Sequence, residues 1–274
     1  MITQQHFDHE LAHLNYYKFG SGTKVMLCFH GYGMHGKQFK MLEENLGSEY
    51  TFYGLDLFFH KETRLKSNDL ASIKKGISKA MLAKFISDFC KNQQIDKFSV
   101  IGYSMGTHYA VALTEILYNR IDNFIIIAPA ALKPGKLVEF FSKNKIGNKI
   151  LEKLILSEKA LINLLKLSKR FNFVDDVGYN ILLKEINTPD LRLSLYASFT
   201  YLRFLDTDKN QLLQVLKSYP INAIFISGSR DKMYPPAIAQ IFCKDLPNAQ
   251  LIVLNENHEM LNQSFVEELT KRLL

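Results

Sequence analysis

Seven short runs rich in β-branched and aromatic residues recur along the chain, and stretches of helical periodicity separate them. The runs are Asn15–Phe19, Val25–His30, Thr51–Asp56, Phe98–Gly102, Phe124–Ala128, Ala223–Ser227 and Leu251–Leu254. Strands that alternate with helices build βαβ units, and βαβ units build a mostly parallel sheet. Lys79–Lys91 places Ala80, Ala83, Ile86 and Phe89 on one face at the 3.6 period, and Met105–Tyr118 does the same with Ala110, Leu113 and Leu117. Phe265–Leu274 reads as a closing helix capped by Asn262 or Ser264. The expected fold class is α/β, a mostly parallel central sheet flanked by helices.

One region breaks the alternation. From Ala131 to Ser218 no strand is evident and amphipathic patterns follow one another. Leu151, Leu154, Ile155, Leu161, Ile162, Leu164 and Leu165 form one apolar set, and Leu191, Leu195, Phe199 and Leu202 form another. A helical block between two strands of a parallel sheet reads as an insertion over one end of that sheet. The expected division is residues 1–130 and 219–274 as the sheet core and residues 131–218 as an inserted helical lid. No internal repeat or Gly/Ser-rich linker marks a separate domain.

The composition is that of a soluble globule, with 47% hydrophobic and 22% charged residues, which excludes disordered, collagen-like and disulfide-scaffold classes. No signal peptide is visible in the first seventeen residues, and no apolar run is long enough to cross a bilayer. Three widely spaced cysteines, Cys28, Cys90 and Cys243, fit a reducing, cytoplasmic compartment. The formal charge of +7 is local. Between Lys133 and Arg170 ten basic residues face only Glu139, Glu152 and Glu158. That stretch is a solvated surface, a steering field for anionic substrates, or a weak contact for an anionic lipid surface. No nucleic-acid-binding motif accompanies the charge.

The strongest chemical signal is Gly102-Tyr103-Ser104-Met105-Gly106, directly after one strand run and directly before a helix. A sharp strand-to-helix turn exposes the Ser104 hydroxyl above the sheet, and glycines at Gly102 and Gly106 avoid collisions there. The helix start aims free N–H groups and a positive dipole end at the same place. A serine hydroxyl needs a base, and the base needs an orienting group. His258 follows the run Leu251–Leu254 and Asp231 follows Ala223–Ser227, both at carboxyl ends of expected parallel strands. For the developing oxyanion, the backbone N–H groups of Tyr32 and Met105 are the candidates, with Gly31 and Gly33 letting the loop after Val25–Phe29 approach closely. His30 is expected to anchor that loop.

With these residues the sequence resembles the α/β-hydrolase-fold superfamily, in its lidded, esterase-like serine hydrolase branch. The resemblance rests on His30-Gly31-Tyr32-Gly33, Gly102-Tyr103-Ser104-Met105-Gly106, Gly228 with Asp231, and His258, spread over nearly the whole chain. Asp56-Leu57-Phe58-Phe59-His60-Lys61-Glu62-Thr63 is loosely similar to the D-x-x-G-H-G-x-S segment of many members, though its glycines are absent. Thr107 stands where a second glycine is usual, and Asn257 where a glycine commonly precedes the histidine. The resemblance implies a serine hydrolase cleaving a carboxylic ester or thioester of a small to medium apolar acyl group. The acyl-enzyme would form on Ser104, with no cofactor and a small-molecule acyl substrate as the partner. Phe140, Phe171, Phe173, Tyr196 and Phe199 are candidate pocket-wall residues on the lid.

Three alternatives stand beside this reading. The first is a lyase or C–C hydrolase of the same fold that resembles the menaquinone-pathway enzyme; that lyase branch is similar in its elbow but carries arginine where this chain has His108. His108 is then either a site-wall residue or a helix residue packed on the sheet. A non-catalytic ligand-binding member is a second alternative, which has no need of all three triad groups. A third is a zinc site at His9-Glu10-Leu11-Ala12-His13, which matches H-E-x-x-H but precedes a strand and lacks an evident third ligand. No metal is expected.

Overall fold

The computed structural model describes residues 2–133, 135–171, 179, 183–184 and 186–274. Among the described residues the nine strands are β1 (Thr3–Asp8), β2 (Ala12–Gly20), β3 (Lys24–Phe29), β4 (Tyr50–Leu55), β5 (Arg64–Leu65), β6 (Phe98–Tyr103), β7 (Ile121–Ile127), β8 (Asn222–Gly228) and β9 (Gln250–Leu254). The described α-helices are α1 (Glu43–Leu46), α2 (Leu70–Lys75), α3 (Lys79–Asn92), α4 (Gly106–Leu117), α5 (Lys136–Lys143), α6 (Lys145–Leu156), α7 (Glu158–Arg170), α8 (Pro189–Tyr201), α9 (Lys209–Ser218), α10 (Ala237–Cys243) and α11 (Gln263–Leu273).

The strands form one sheet in the order β1-β2-β4-β3-β6-β7-β8-β9, with β5 pairing β2. From β4 to β9 every pairing is parallel, while β1, β2, β4 and β5 join through antiparallel pairings. The central strand β6 is buried at all six positions, as its mainly apolar sequence suits in a sheet covered on both faces, and its one hydroxyl on a short side chain, Ser99, accepts from Asn123 Nδ2 at 2.8 Å. β3 pairs β4 on one side and β6 on the other, so the strand order reverses there. Ligands of open α/β sheets bind beyond the carboxyl ends of strands at such a reversal.

The structure adds two strands to the seven expected. β1 carries Thr-Gln-Gln-His-Phe-Asp, and its polar residues suit an edge strand that pairs on one side only. α3 is capped by the Ser78 side chain, which accepts from the Met81 amide, and it buries Leu82, Ala83, Phe85, Ile86, Phe89 and Cys90. Ala80, expected on that face, is exposed. Asn262 is the cap of α11, accepting from the Phe265 amide at 3.2 Å.

The chain divides into two compact units: Met1–Ser67 with Ser78–Lys133 and Leu205–Leu274, and Asn68–Ile77 with Pro134–Phe204. The first holds the whole sheet. The second is helical, built from α2 and α5–α8, and among its described residues there is no strand. Its boundaries differ from 131–218 at both ends. α9, inside the expected insertion, packs on α4 of the sheet unit. α2, outside it, packs on α8 of the helical unit, where the Ile77 amide donates to the Tyr201 carbonyl at 2.9 Å.

Candidate active site

Ser104 follows β6 immediately and has a φ of 49°, in the left-handed region that a residue with a side chain adopts only at a cost of about 1–3 kcal/mol. The cost is borne locally because the Ser104 amide donates to the Ile127 carbonyl at 2.8 Å. The two elbow glycines are steric requirements. A Cβ on Gly106 would stand 2.0 Å from the Phe29 carbonyl oxygen, and one on Gly102 would stand 2.6 Å from the Gly106 carbonyl oxygen. Thr107, where a glycine is usual, closes the turn instead: its Oγ1 donates to the Ser104 carbonyl at 2.6 Å and accepts from the Ala131 amide at 3.0 Å.

The structure brings Ser104, Asp231 and His258 together from three loops. His258 Nε2 lies 3.1 Å from Ser104 Oγ, and His258 Nδ1 lies 2.9 Å from Asp231 Oδ2. The other carboxylate oxygen of Asp231 accepts from the Met233 and Tyr234 amides at 2.8 and 3.0 Å. Asp231 is buried and its orientation is fixed by these bonds. Two tyrosines that sequence reasoning did not single out frame the imidazole. Tyr103 stacks on His258 with ring centroids 5.5 Å apart, and Tyr234 lies 5.7 Å away. The Tyr103 hydroxyl also donates to the His258 carbonyl at 2.6 Å. Burial, with the Asp231 charge nearby, raises both phenols above their ordinary range, so both remain neutral.

The loop after β3 is held at each end. The Gly31 amide donates to Gln38 Oε1 at 3.1 Å, and the Gly33 amide, on a residue with φ of 73°, donates to His60 Nε2 at 3.1 Å. Between these two anchored amides lies Tyr32. His60 Nδ1–H donates to the Phe58 carbonyl at 3.0 Å, which fixes the tautomer that leaves Nε2 free to accept. His30 ties the loop to the segment after β4: its Nε2 accepts from the Leu57 amide at 3.0 Å and its Nδ1–H donates to the Gly31 carbonyl at 2.6 Å. Burial pushes His60 from the ordinary 6.5 down to about 4 and lowers His30 well below its usual range. Both rings therefore stay neutral near pH 7 and serve as acceptors. Asp56 completes the junction, accepting from the Gly36 amide at 2.7 Å and from Asn15 Nδ2 at 2.6 Å, with burial raising its carboxyl. Across the elbow, Met105 directly precedes α4, and its amide is among those at a helix start that have no partner within the helix.

A reversal in a parallel sheet, a strained serine at the end of its central strand, and an aspartate and histidine from later strand ends define one fold family. The chain belongs to the α/β-hydrolase fold family. The family described as the alpha/beta hydrolase fold matches residues 24–262. No curated protein sequence matches the chain. Among solved structures it is similar to an α/β-hydrolase enzyme from a Medee basin deep-sea metagenome library, at 14% identity and a TM-score of 0.71 over 98% of this chain and 95% of that one. It is similar also to the thioesterase domain from the curacin biosynthetic pathway, at 16% identity and a TM-score of 0.64 over 99% of each chain. A third is a meta-cleavage product hydrolase from Pseudomonas fluorescens, at 16% identity and a TM-score of 0.68 over 97% and 96%. At these identities the likeness is one of fold.

The remaining candidates in this α/β-hydrolase fall elsewhere. His108 is half-buried on α4, with its Nδ1 3.4 Å from the Leu205 carbonyl. In the helical unit Tyr196 is fully buried, and its hydroxyl donates to Asn148 Oδ1 at 2.8 Å; it is a packed residue rather than the pocket wall expected. Phe140, Phe171 and Phe199 are exposed on that unit, and Phe173 lies outside the described residues. The H-E-x-x-H motif spans the turn between β1 and β2, so its histidines do not share a helix face. His9 Nε2 sits 3.0 Å from Asp88 Oδ2, and His13 Nδ1 sits 3.0 Å from Asp8 Oδ1. Among the described residues no group of three His, Cys, Asp or Glu side chains is arranged to hold a metal.

Proposed function

We propose that the chain is a serine hydrolase that cleaves a carboxylic ester or thioester through an acyl-enzyme on Ser104. The observation that carries the reading is the relay of 3.1 Å from Ser104 Oγ to His258 Nε2 and 2.9 Å from His258 Nδ1 to Asp231 Oδ2. In it His258 takes the Ser104 proton as the hydroxyl oxygen attacks the substrate carbonyl carbon. Asp231 holds the imidazole in the tautomer with Nδ1 protonated and stabilises the imidazolium that forms. The Met105 and Tyr32 amides receive the oxyanion of the tetrahedral intermediate. His258 then gives its proton to the leaving alcohol or thiol. Water deprotonated by the same ring hydrolyses the acyl-enzyme and restores the hydroxyl.

The free cysteines support a reducing, cytoplasmic setting: Cys28 and Cys90 are buried and Cys243 is half-buried. Burial raises all three thiols, Cys90 to about 12 and Cys243 to about 11, which makes them poor competing nucleophiles.

The test is labelling with a fluorophosphonate probe together with turnover of chromogenic esters of graded acyl length. Fast labelling that maps to Ser104 and disappears in Ser104→Ala is the result expected, with turnover in that variant falling on the order of 10⁶-fold. Turnover retained in Ser104→Ala overturns the assignment.

A further inference from the structure

We propose that the surface formed by α6 and α7 is an interfacial docking site for an anionic lipid bilayer. It rests on the placement of apolar and basic side chains in the helical unit and not on the chemistry of Ser104.

α6 buries Gly147, Leu151 and Ile155 inside the helical unit. Its next stripe is Ile146, Lys149, Ile150 and Lys153, at spacings of three and four that place them on one face. That face is open: Ile146 is 71% exposed and Ile150 48%. α7 repeats the arrangement. It buries Leu161 and Leu165, while Leu164, Leu167 and Phe171 share an exposed face, with Phe171 at 63%. Lys166, Lys169 and Arg170 are interleaved with that face and are exposed. Single exposed apolar residues need no explanation, but two adjoining helices that each present an aliphatic stripe within a lysine-rich surface do.

Among the described residues the ion pairs of this stretch leave most of its cations unmatched. Glu139 pairs with Lys143, Glu152 with Lys74 and Glu158 with Arg192, so two of the three acids in the stretch are matched by cations from outside it. Among the described residues Lys145, Lys149, Lys153, Lys159, Lys166 and Arg170 have no ion-pair partner.

These features select the occupant. A second copy of the chain would set the same uncompensated cations against themselves, because a two-fold interface is self-complementary. A nucleic acid would satisfy the lysines but leave Ile146, Ile150, Leu164 and Leu167 against phosphate. An anionic bilayer satisfies both: aliphatic and Phe171 side chains enter the boundary between headgroups and acyl chains, while lysine stems extend back to lipid phosphates. Among the described residues no helix is long and apolar enough to cross a membrane, so the contact would lie in the interface plane.

The test is flotation of the 274-residue protein with vesicles of phosphatidylcholine alone and of phosphatidylcholine mixed with phosphatidylglycerol. The mixed vesicles should bind at least about tenfold more tightly, and about 0.5 M salt should abolish the difference. Lys149→Glu with Lys153→Glu should lower binding by about tenfold or more. Ile146→Ser with Ile150→Ser, which keeps every charge, should weaken binding to the mixed vesicles severalfold while thermal unfolding stays cooperative. Ser104→Ala should bind as the wild type does, which separates this proposal from the hydrolase reading. Equal binding to both vesicles, no binding to either, or an undiminished Ile146→Ser/Ile150→Ser protein would overturn it. So would a lipid-free dimer that the same pair of serines dissolves.

Discussion

The hydroxyl of Tyr103 donates to the carbonyl of His258 at 2.6 Å, so the residue just before the candidate nucleophile holds the loop that carries its candidate base. The two residues are 155 positions apart, and the bond ties the end of β6 to the loop after β9. Tyr103→Phe keeps the ring that stacks on the imidazole and removes only this bond. The expected cost in stability is about 0.5–1.5 kcal/mol. If the bond sets the 3.1 Å approach of His258 to Ser104, kcat on a chromogenic ester should fall about tenfold with KM nearly unchanged. Steady-state kinetics beside a denaturation curve separates the two effects, and an unaltered kcat would refute the positioning role.

A second prediction concerns acid. His60 is held neutral, with burial lowering it from 6.5 to about 4, and its Nε2 accepts from the Gly33 amide. Between those two pH values the unfolded chain binds a proton that the folded chain refuses, so stability is fully present above pH 6.5 and declines as the pH falls toward 4. A shift of that size corresponds to on the order of 3 kcal/mol at full development. His30 is shifted the same way by burial and adds to the slope. His60→Asn supplies a non-titrating acceptor for Gly33. Its melting temperature should change less than that of the wild type between pH 6.5 and 4. Parallel curves for the two proteins would show that His60 is not the group responsible.

The third prediction tests the elbow. With the Phe29 carbonyl oxygen 2.0 Å from where a methyl would sit, Gly106→Ala cannot be absorbed by a side-chain rotation, because the obstruction is backbone. β3 and α4 would have to separate. A loss of more than about 4 kcal/mol is expected, read by chemical denaturation or by failure to yield soluble protein. A mild loss would mean that the approach of helix to sheet is looser than these distances indicate.

Much of the fold was legible because a parallel sheet covered on both faces writes itself as apolar runs, and each of the seven runs expected lies within a strand or extends one residue past its end. β1 was not legible, since an edge strand has no need of β-branched residues on both faces, and Thr3–Asp8 carries mainly polar ones. The meeting of Ser104, Asp231 and His258 was legible from their positions just past strand ends. Tyr103 and His60 were not identified. Their partners are a backbone carbonyl 155 residues away and a loop amide 27 residues away, and neither pairing leaves a local pattern. The boundary of the helical unit was misplaced for a similar reason. α2 and α9 are amphipathic helices whose periodicity records that they pack, not which unit they pack on.

The last prediction uses an ion pair beneath the sheet unit's surface. The side chain of Glu115 on α4 is fully buried, pairs with Lys79 on α3, and accepts from the Asp208 amide at 2.8 Å. Burial raises its carboxyl, while Lys79 and the amide oppose the shift. Removing the lysine alone leaves a buried carboxylate without its counter-charge, so Lys79→Met should cost about 3–5 kcal/mol. The deficit should depend on pH in a defined direction. Without Lys79 the folded-state carboxyl is raised further above its ordinary 4.5, so the penalty grows as the pH rises past that value and shrinks on acidification, when the group is protonated in both states. Lys79→Met combined with Glu115→Gln removes the charge altogether and should recover part of the loss, as a double-mutant cycle would measure. A deficit for Lys79→Met that stays constant from acid to neutral pH, with no recovery in the double variant, would mean that Lys79 acts through packing of its stem rather than through its charge.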